Sequence, residues 1–151
     1  MMNNEQKDHL LPSASLVQNG LLYAANYRAW DDGKMIYQTG ALSDLKRFFR
    51  VIREDAILML GSGMYDKNRK QYFLGDIFLG KEQKEMSVPM KEGLYQVCWE
   101  DYAFTAKSID GKNSDCWLFY FETNIRARPL TEGDILGNIF QNAELLQTLP
   151  K

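Results

Sequence analysis

Residues 94–122, LYQVCWEDYAFTAKSIDGKNSDCWLFYFE, carry the strongest signal for the fold of this chain. The stretch contains three short apolar, aromatic-rich runs, LYQVCW, YAFTAKS and CWLFYF, which are separated by polar turn segments. Side chains of this kind favour strands because they pack well on a pleated surface, so the stretch predicts an antiparallel meander. CWLFYF is apolar on both faces, which is typical of an inner strand. Closing the sheet into a small barrel would bury that strand and remove exposed edges.

A hairpin is predicted before the meander, within NYRAWDDGKMIY at residues 26–37. Two strand-like runs flank the segment 31–33, Asp-Asp-Gly, and three residues ending in glycine suit a turn with a bulge. Further along, the pair Gly75-Asp76 precedes an apolar run. It predicts a turn in which the glycine takes an unusual backbone angle and the aspartate oxygen bonds an amide two residues on.

Two short helices complete the predicted fold. An apolar stripe at helical spacing predicts a helix near residues 43–53, with Ser43 as its N-cap. The stripe consists of Leu45, Phe48, Phe49 and Ile52. A second helix is predicted near residues 143–149, with Asn142 as its cap. The predicted fold class is therefore mainly β, a small barrel-like sheet with one or two short helices.

The length and composition indicate one globular domain. The chain has 151 residues, of which 45% are hydrophobic and 25% are charged, enough to bury a core without metal or disulfides. Residues 1–25 lack a sustained pattern, so we expect an N-terminal arm followed by a single domain at 26–151. No apolar run reaches about 18 residues, and the start lacks the pattern of a signal peptide. We expect a cytoplasmic protein in which Cys98 and Cys116 are reduced and buried.

The sequence contains no recognisable catalytic or cofactor motif. Its single histidine, His9, stands in the unpatterned arm, so a Ser-His or Cys-His pair is not predicted. Four aspartates at turn-like positions are the remaining candidates for a metal site, although aspartate in a turn ordinarily accepts backbone hydrogen bonds. They are Asp31, Asp66, Asp76 and Asp134. We therefore predict no cofactor and no metal, and keep a metal-dependent hydrolase as the second alternative function.

Nucleic-acid binding is the first alternative function. A net charge of -2, from 18 basic and 20 acidic residues, lacks the strongly basic footprint of a general nucleic-acid binder. The hypothesis requires several basic side chains to share one face: Lys46, Arg47, Arg50, Lys67, Arg69 and Lys70. Exposed Tyr65 and Tyr72 beside them would add a stacking surface for single strands.

Four segments, taken in order, resemble the phage YopX protein family. They are NYRAWDDGKMIY (26–37), LMLGSGMYDKNRKQYFLGDIF (58–78), GLYQVCWEDYAF (93–104) and DILGNIFQNAELL (134–146). Two places depart from the family pattern: Arg69 stands where glycine is usual, and Asp101-Tyr102 stands where Asn-Gly is usual. Tyrosine resists a positive φ, which disfavours a type I′ turn at the second place. The resemblance implies a phage or prophage origin, a bacterial host cytoplasm and a mostly β fold, and it transfers no reaction.

The resemblance also marks the positions at which we expect binding. These family-motif residues are Arg28, Trp30, Asp31, Asp66, Lys67, Asn68, Gly75, Asp76, Gly137 and Asn138. By their strand alternation alone, Trp30 is predicted in the core and Arg28 as a paired surface charge. We expect a non-enzymatic interaction module that forms homo-oligomers, with a protein partner and no membrane partner. The arm and the apolar strands would cover a neighbour's edge.

Overall fold

The computed structural model describes residues 27–38, 42–82, 90–101, 103–111, 113–117, 119–121, 127–129 and 133–146. The predicted arm at 1–25, with His9, lies outside the described residues. Those residues form eleven strands, one α-helix and one 3-10 helix. In chain order they are β1 Tyr27–Asp31, β2 Lys34–Tyr37, α1 Leu42–Val51, β3 Ile57–Tyr65, β4 Gln71–Phe73, β5 Asp76–Gly80, β6 Gly93–Glu100, β7 Ala103–Ser108, β8 Cys116–Trp117, β9 Phe119–Phe121, β10 Ala127–Pro129, β11 Asp134–Asn138 and the 3-10 helix Ala143–Leu146.

The strands form a mainly β fold with a curled, half-barrel sheet, which confirms the predicted fold class. One sheet has the order β2-β1-β3-β4, and the other has the order β11-β5-β6-β7-β8. The turn Leu74-Gly75 joins them, because it connects β4 directly to β5. Leu74 N–H bonds Leu60 O in the first sheet at 3.0 Å, and Gly75 N–H bonds Val97 O in the second at 2.9 Å. Gly75 has the predicted unusual angle, a φ of 88°.

The core is built from aromatic rings of both sheets. The Tyr72 ring meets the Phe78 ring edge-on with centroids 5.3 Å apart, and Phe78 stacks on Tyr95 at 5.7 Å. All three side chains are fully buried. Burying a large apolar side chain contributes about 1.5–3 kcal/mol, so this row of rings is a main source of cohesion between the sheets.

The first hairpin is confirmed, but its turn differs from the prediction. Asp31 pairs directly with Lys34, so the turn has two residues, Asp32 and Gly33, and not the three that were predicted. Both have positive φ, 47° and 77°, which is the pattern of a type I′ turn. Aspartate is among the few side chains that tolerate this region, so the strands pair without a bulge.

The helices are placed as predicted but differ in detail. Since α1 begins at Leu42, Ser43 lies inside it and not at its N-cap. Phe48 is buried, as the apolar stripe requires, whereas Phe49 is 46% exposed. The C-terminal helix is a 3-10 turn in the described residues. The Asn142 side chain accepts the N–H of Asn138, four residues before it, and does not cap that turn.

No helix among the described residues combines the length and apolar character needed to cross a bilayer.

The prediction of one inner strand for the run CWLFYF is wrong, because the run contains two separate strands. Its first part, β8, is the last strand of the five-stranded sheet among the described residues. Its second part, β9, pairs with β10 in a separate two-stranded ribbon. The run divides its backbone pairing between two partners, which its apolar character does not reveal. Cys98 and Cys116 are buried and free of a disulfide, as predicted.

Candidate functional site

A pocket of about 430 Å³ lies where the two sheets meet, between β1, β2 and β4 on one side and β11 on the other. Its charged lining residues are Arg28, Lys70 and Asp76, and its apolar ones are Tyr37, Phe73, Ile135 and Leu136. Gln71, Gly137, Asn138 and Gln141 complete the lining. The pocket therefore combines a charged part with an apolar part.

A buried ion pair occupies the charged part of the pocket. Arg28 Nη2 lies 2.7 Å from Asp76 Oδ1, and the two side chains are only 4% and 3% exposed. The same nitrogen donates to the carbonyl oxygen of Leu74 at 3.2 Å, and the guanidinium carbon lies 4.7 Å from the centroid of the Phe73 ring. The prediction of Arg28 as a surface charge is wrong, because both faces of β1 are covered: Arg28 is buried, and so are its neighbours Tyr27 and Ala29.

Asp76 is held from two sides. Its Oδ2 accepts the N–H of Phe73 at 2.8 Å, three residues before it, and not an amide two residues on as predicted. Burial raises the pKa of Asp76 to about 6, although the Arg28 charge and the Phe73 N–H both oppose that rise. Arg28 Nε is buried and has no hydrogen-bond partner among the described residues. The guanidinium thus keeps donor capacity beyond the Asp76 pair.

A β-bulge forms the opposite wall. Ile135 pairs with Phe78 and Gly137 with Ile77, so Leu136 is an extra residue on β11. A bulge bends the strand and changes the direction of a side chain, and such irregularities are common beside binding sites. Leu136 is 47% exposed and lines the pocket.

Gly137 and Asn138 shape the end of the same wall. A Cβ on Gly137 would collide with the side chain of Asn142, and that side chain accepts the Asn138 N–H at 3.2 Å. The buried Asn138 side chain accepts the N–H groups of Phe140 and Gln141 at 3.0 and 2.9 Å. Both family-motif residues therefore hold the backbone that follows β11 in a tight turn at the pocket.

The turn between β3 and β4 is fastened to β11 by three family-motif residues. Asp66 Oδ1 accepts the N–H groups of Asn68 and Lys70, each at 2.8 Å, and its Oδ2 accepts the N–H of Ile135 at 3.1 Å. Lys67 and Asn68 both contact the Asp134 carboxylate, at 2.9 and 2.8 Å. The hydrogen bond from Lys67 lowers the pKa of Asp134. These contacts position Lys70 at the pocket and bond the β11 backbone.

The same turn shows what replaces the usual glycine of the family pattern. Arg69 has a φ of 63°, a left-handed conformation that glycine adopts without cost. Asp101, at the second departure, has a φ of 49°, while Tyr102 lies outside the described residues.

Three other family-motif residues lie away from the pocket lining. Trp30 is partly buried and stacks on Phe140 with centroids 5.4 Å apart. Asp31 accepts the N–H of Arg53 at 3.2 Å, and Gly75 forms the corner between the sheets. Of the ten predicted site residues, the structure brings four to the pocket: Arg28, Asp76, Gly137 and Asn138.

The predicted set omits all four apolar lining residues of the pocket: Tyr37, Phe73, Ile135 and Leu136. Tyr37 stands at the end of β2, opposite Arg28 in the register, and Leu136 is placed by the bulge. The two-residue turn places Tyr37 opposite Arg28, whereas the predicted three-residue turn would have placed Ile36 there. The bulge that places Leu136 depends on the pairing of β11 with β5, so Leu136 had no signal in the local sequence.

Only one of the two rings predicted to form a stacking surface for nucleic acid is exposed. Tyr72 is fully buried, and its hydroxyl donates to Gly133 O at 3.4 Å. Burial, followed by nearby carboxylates, raises its pKa. Tyr65 is 51% exposed, as that hypothesis requires.

The four aspartates considered for a metal site each have contacts of their own. Asp31 and Asp66 accept backbone amides, Asp76 pairs with Arg28, and Asp134 pairs with Lys67. Among the described residues, no three His, Cys, Asp or Glu side chains are grouped so as to hold a metal ion.

Comparison with protein-family models gives a match over most of the chain. The family model described as YopX protein matches residues 41–147. The X-ray crystal structure of protein yopX from Bacillus subtilis is 17% identical in sequence, with a TM-score of 0.46, and the match covers 80% of this chain and 96% of that chain. The search of curated proteins found no match.

Proposed function

Because this chain belongs to the YopX protein family, we propose that it acts as a non-enzymatic interaction module encoded by a phage or prophage. It works in the cytoplasm of the bacterial host and associates with copies of itself. Family membership supports the origin, and the pocket between the sheets supports the mode of action.

One observation carries the proposal: two edge strands with exposed apolar side chains flank a single pocket. β2 and β11 are the end strands of their sheets among the described residues. They present Tyr37, which is 53% exposed, and Leu136, which is 47% exposed. Apolar side chains gathered beside a concave site are typical of surfaces that bind other molecules.

The backbone of β2 supplies the means of pairing with a second strand. Gln38 N–H bonds Tyr27 O at 2.9 Å, which fixes the alternation of hydrogen-bonded pairs along this hairpin. By that alternation the amide and carbonyl groups of Met35 and Tyr37 point away from β1. An edge strand whose backbone N–H and C=O groups point outward can pair with an added strand. A second copy that pairs there would lie directly beside Tyr37, at the rim of the pocket.

Edge strand β11 is protected differently. The N–H of Ile135 is taken by the Asp66 carboxylate, and the bulge at Leu136 interrupts the regular ladder. Bulges and side-chain capping of this kind prevent strand addition. We therefore assign pairing to β2, and side-chain contact to β11.

The test is the molecular mass of the full chain in solution, measured by sedimentation at micromolar concentration. We expect an oligomer, and expect Tyr37→Lys to shift the population towards monomer because it places a charge on the pairing edge. Tyr65→Lys is the matched control, since Tyr65 is equally exposed but does not line the pocket. A chain lacking residues 1–24 measures the contribution of the arm.

A monomeric full chain at this concentration would refute self-association. An oligomer that dissociates on removal of residues 1–24 but is unaffected by Tyr37→Lys would place the interface on the arm, against the assignment to β2.

Nucleic-acid binding is the second candidate, and exposed Tyr65 is the observation that favours it. This ring stands at the end of β3, directly before the turn whose Lys67, Arg69 and Lys70 side chains are exposed. A ring beside basic side chains suits stacking on single-stranded nucleic acid. The test is fluorescence anisotropy with a labelled single-stranded oligonucleotide at two salt concentrations. Binding that weakens with salt and with Tyr65→Ala is expected, and salt-insensitive or undetectable binding would eliminate this candidate.

A further inference from the structure

We propose that the pocket binds an acidic side chain of a partner protein, with the carboxylate received by Arg28 and Lys70 and its apolar neighbours by Tyr37 and Leu136. The proposal rests on the proposed function as an interaction module, and it names the chemistry that the module recognises.

The charges of the lining select a single negative charge. Two cations, Arg28 and Lys70, face one carboxylate, Asp76. Asp76 is already occupied, because one oxygen pairs with Arg28 and the other accepts the Phe73 N–H. One positive charge is therefore left without a counter-charge among the lining residues. A carboxylate matches that surplus, whereas a phosphate group carries about -1.5 to -2 at neutral pH and would leave negative charge beside Asp76.

Arg28 retains the donors that such a ligand needs. Arginine carries N–H groups on all its guanidinium nitrogens, in a planar fork that fits a carboxylate. The two bonds to Asp76 and to Leu74 O both come from Nη2. Nε is buried without a partner among the described residues, and a buried donor left in this state is costly. The unused donor capacity of a side chain that also lines the pocket points to an anionic ligand.

Lys70 supplies the second contact from a fixed position. Its backbone N–H is bonded by Asp66 at 2.8 Å, and its carbonyl accepts the N–H of Asp66, also at 2.8 Å. Asp66 in turn bonds the N–H of Ile135 on β11. The lysine side chain is exposed, so it can approach a ligand without breaking a contact that holds the turn.

The apolar part of the pocket accounts for the neighbours of the acidic residue. The Tyr37 ring packs edge-on against Phe73 with centroids 5.8 Å apart, and half of the tyrosine surface remains exposed. Leu136 faces the pocket from the bulge on β11. A free carboxylate ion would leave both surfaces uncovered. An acidic residue flanked by large apolar residues would cover them.

The test uses NMR titration of the labelled full chain with a synthetic tripeptide, blocked at both ends, that has glutamate between two leucines. The matched probe has glutamine in place of glutamate. We expect saturable shifts at the Arg28 Nε–H and at the Leu136 amide, with no change at Gly111, which lies outside the pocket lining. Loss of a charge-assisted bond predicts that the glutamine peptide binds at least about tenfold more weakly.

Variants separate the ligand contacts from the fold. Because Arg28 is buried, replacing it endangers folding, so the informative variant is Lys70→Gln. It should weaken binding of the glutamate peptide by about two- to fivefold, as for an exposed charge pair, and leave the glutamine peptide unaffected. Lys34→Gln is the control, since Lys34 is an exposed lysine on β2 that does not line the pocket.

Three results would overturn the proposal: equal affinity for the two peptides, shifts confined to residues outside the pocket, or tighter binding of inorganic phosphate at the same resonances. The outcome of the sedimentation test of self-association is independent of the outcome of the peptide titration. A monomer that binds the glutamate peptide would remove self-association and keep the ligand assignment, and an oligomer that ignores the peptide would do the reverse.

Discussion

The buried ion pair between Arg28 and Asp76 makes a quantitative prediction about stability. Arg28→Met keeps most of the side-chain length but leaves the Asp76 carboxylate, which is 3% exposed, with only the Phe73 N–H. It also removes the donor to Leu74 O. Removing one partner of a buried pair typically costs about 3–5 kcal/mol. The free energy of unfolding of a domain is about 5–15 kcal/mol, so the variant folds marginally.

The double variant decides whether this loss comes from the pair. Asp76→Asn keeps an oxygen that can accept the Phe73 N–H but leaves Arg28 as a buried cation without a counter-charge. When both changes are combined, neither charge is left alone. We therefore expect the loss in the double variant to be smaller than the sum of the single losses by about 2 kcal/mol, within the range of coupled contacts.

The pH dependence of the free energy of unfolding provides a second, independent test of this pair. The pKa of Asp76 rises from 3.8 to about 6 on folding, so the folded chain holds this proton more tightly than the unfolded chain does. The contribution of Asp76 to the free energy of unfolding therefore falls as the pH rises from about 4 to about 6, and is constant above that range. Without Arg28 the pKa of Asp76 rises further. Arg28→Met should accordingly lower the free energy of unfolding more at pH 8 than at pH 5.5.

Urea unfolding monitored by tryptophan fluorescence and circular dichroism provides the measurement, at pH 5.5 and pH 8. Arg47→Met is the control, because Arg47 is exposed on α1 and its loss should change stability by no more than about 0.5 kcal/mol. If the losses of the two single variants add to within about 0.5 kcal/mol in the double variant, the pair does not contribute as argued. A penalty for Arg28→Met that is independent of pH would refute the argument that the Arg28 charge lowers the pKa of Asp76 in the folded chain.

Three further predictions concern residues around the pocket and in the sheet. Asp66→Ala removes an acceptor from three backbone amides and should lower the free energy of unfolding by about 2–4 kcal/mol; a loss below about 1 kcal/mol in urea unfolding would contradict it. Gly137→Ala brings a Cβ against the Asn142 side chain and should lower the free energy of unfolding by about 1–2 kcal/mol. If Asn142→Ala is introduced first, most of that side chain is gone, and Gly137→Ala should then cost less. Burial raises the pKa of Cys98 to about 12, so a thiol reagent at pH 8 should label it only after unfolding, and rapid labelling of the folded chain would show that the strand is open.

Much of the fold can be predicted from local spacing, and the candidate site cannot. The hairpin of β1 and β2, the helix α1 and the turn at Gly75 each depend on residues that are close in the chain. The charged part of the pocket depends on distant ones, since 46 residues separate Arg28 from its acceptor Leu74. An arginine in an alternating strand suggests a surface position, and nothing in the strand itself reveals that both of its faces are covered in the fold.

The bulge at Leu136 shows the same limit. In DILGN the leucine occupies an ordinary strand position, and nothing in those five residues indicates that two of them oppose one residue of β5. The bulge belongs to the pairing of β11 with β5, and Asp66 bonds Ile135 beside it from a turn 69 residues earlier. The resemblance to the family marked Asp66, Gly137 and Asn138 as expected binding positions, and in the structure they lie where the backbone around the pocket is held in place.

The pairing of β11 with β5 also has a consequence for synthesis on the ribosome. β5 is almost wholly buried, but the strand that covers one of its edges begins only at Asp134, after several intervening strands have been made. Until then the nascent chain carries an apolar strand with an open edge, which is a template for association with other chains. Ribosome stalling or proteolysis before residue 134 would therefore yield fragments that aggregate, and the pocket would be absent from all of them. The ligand recognition proposed for the pocket would in this way be restricted to chains whose translation has passed β11.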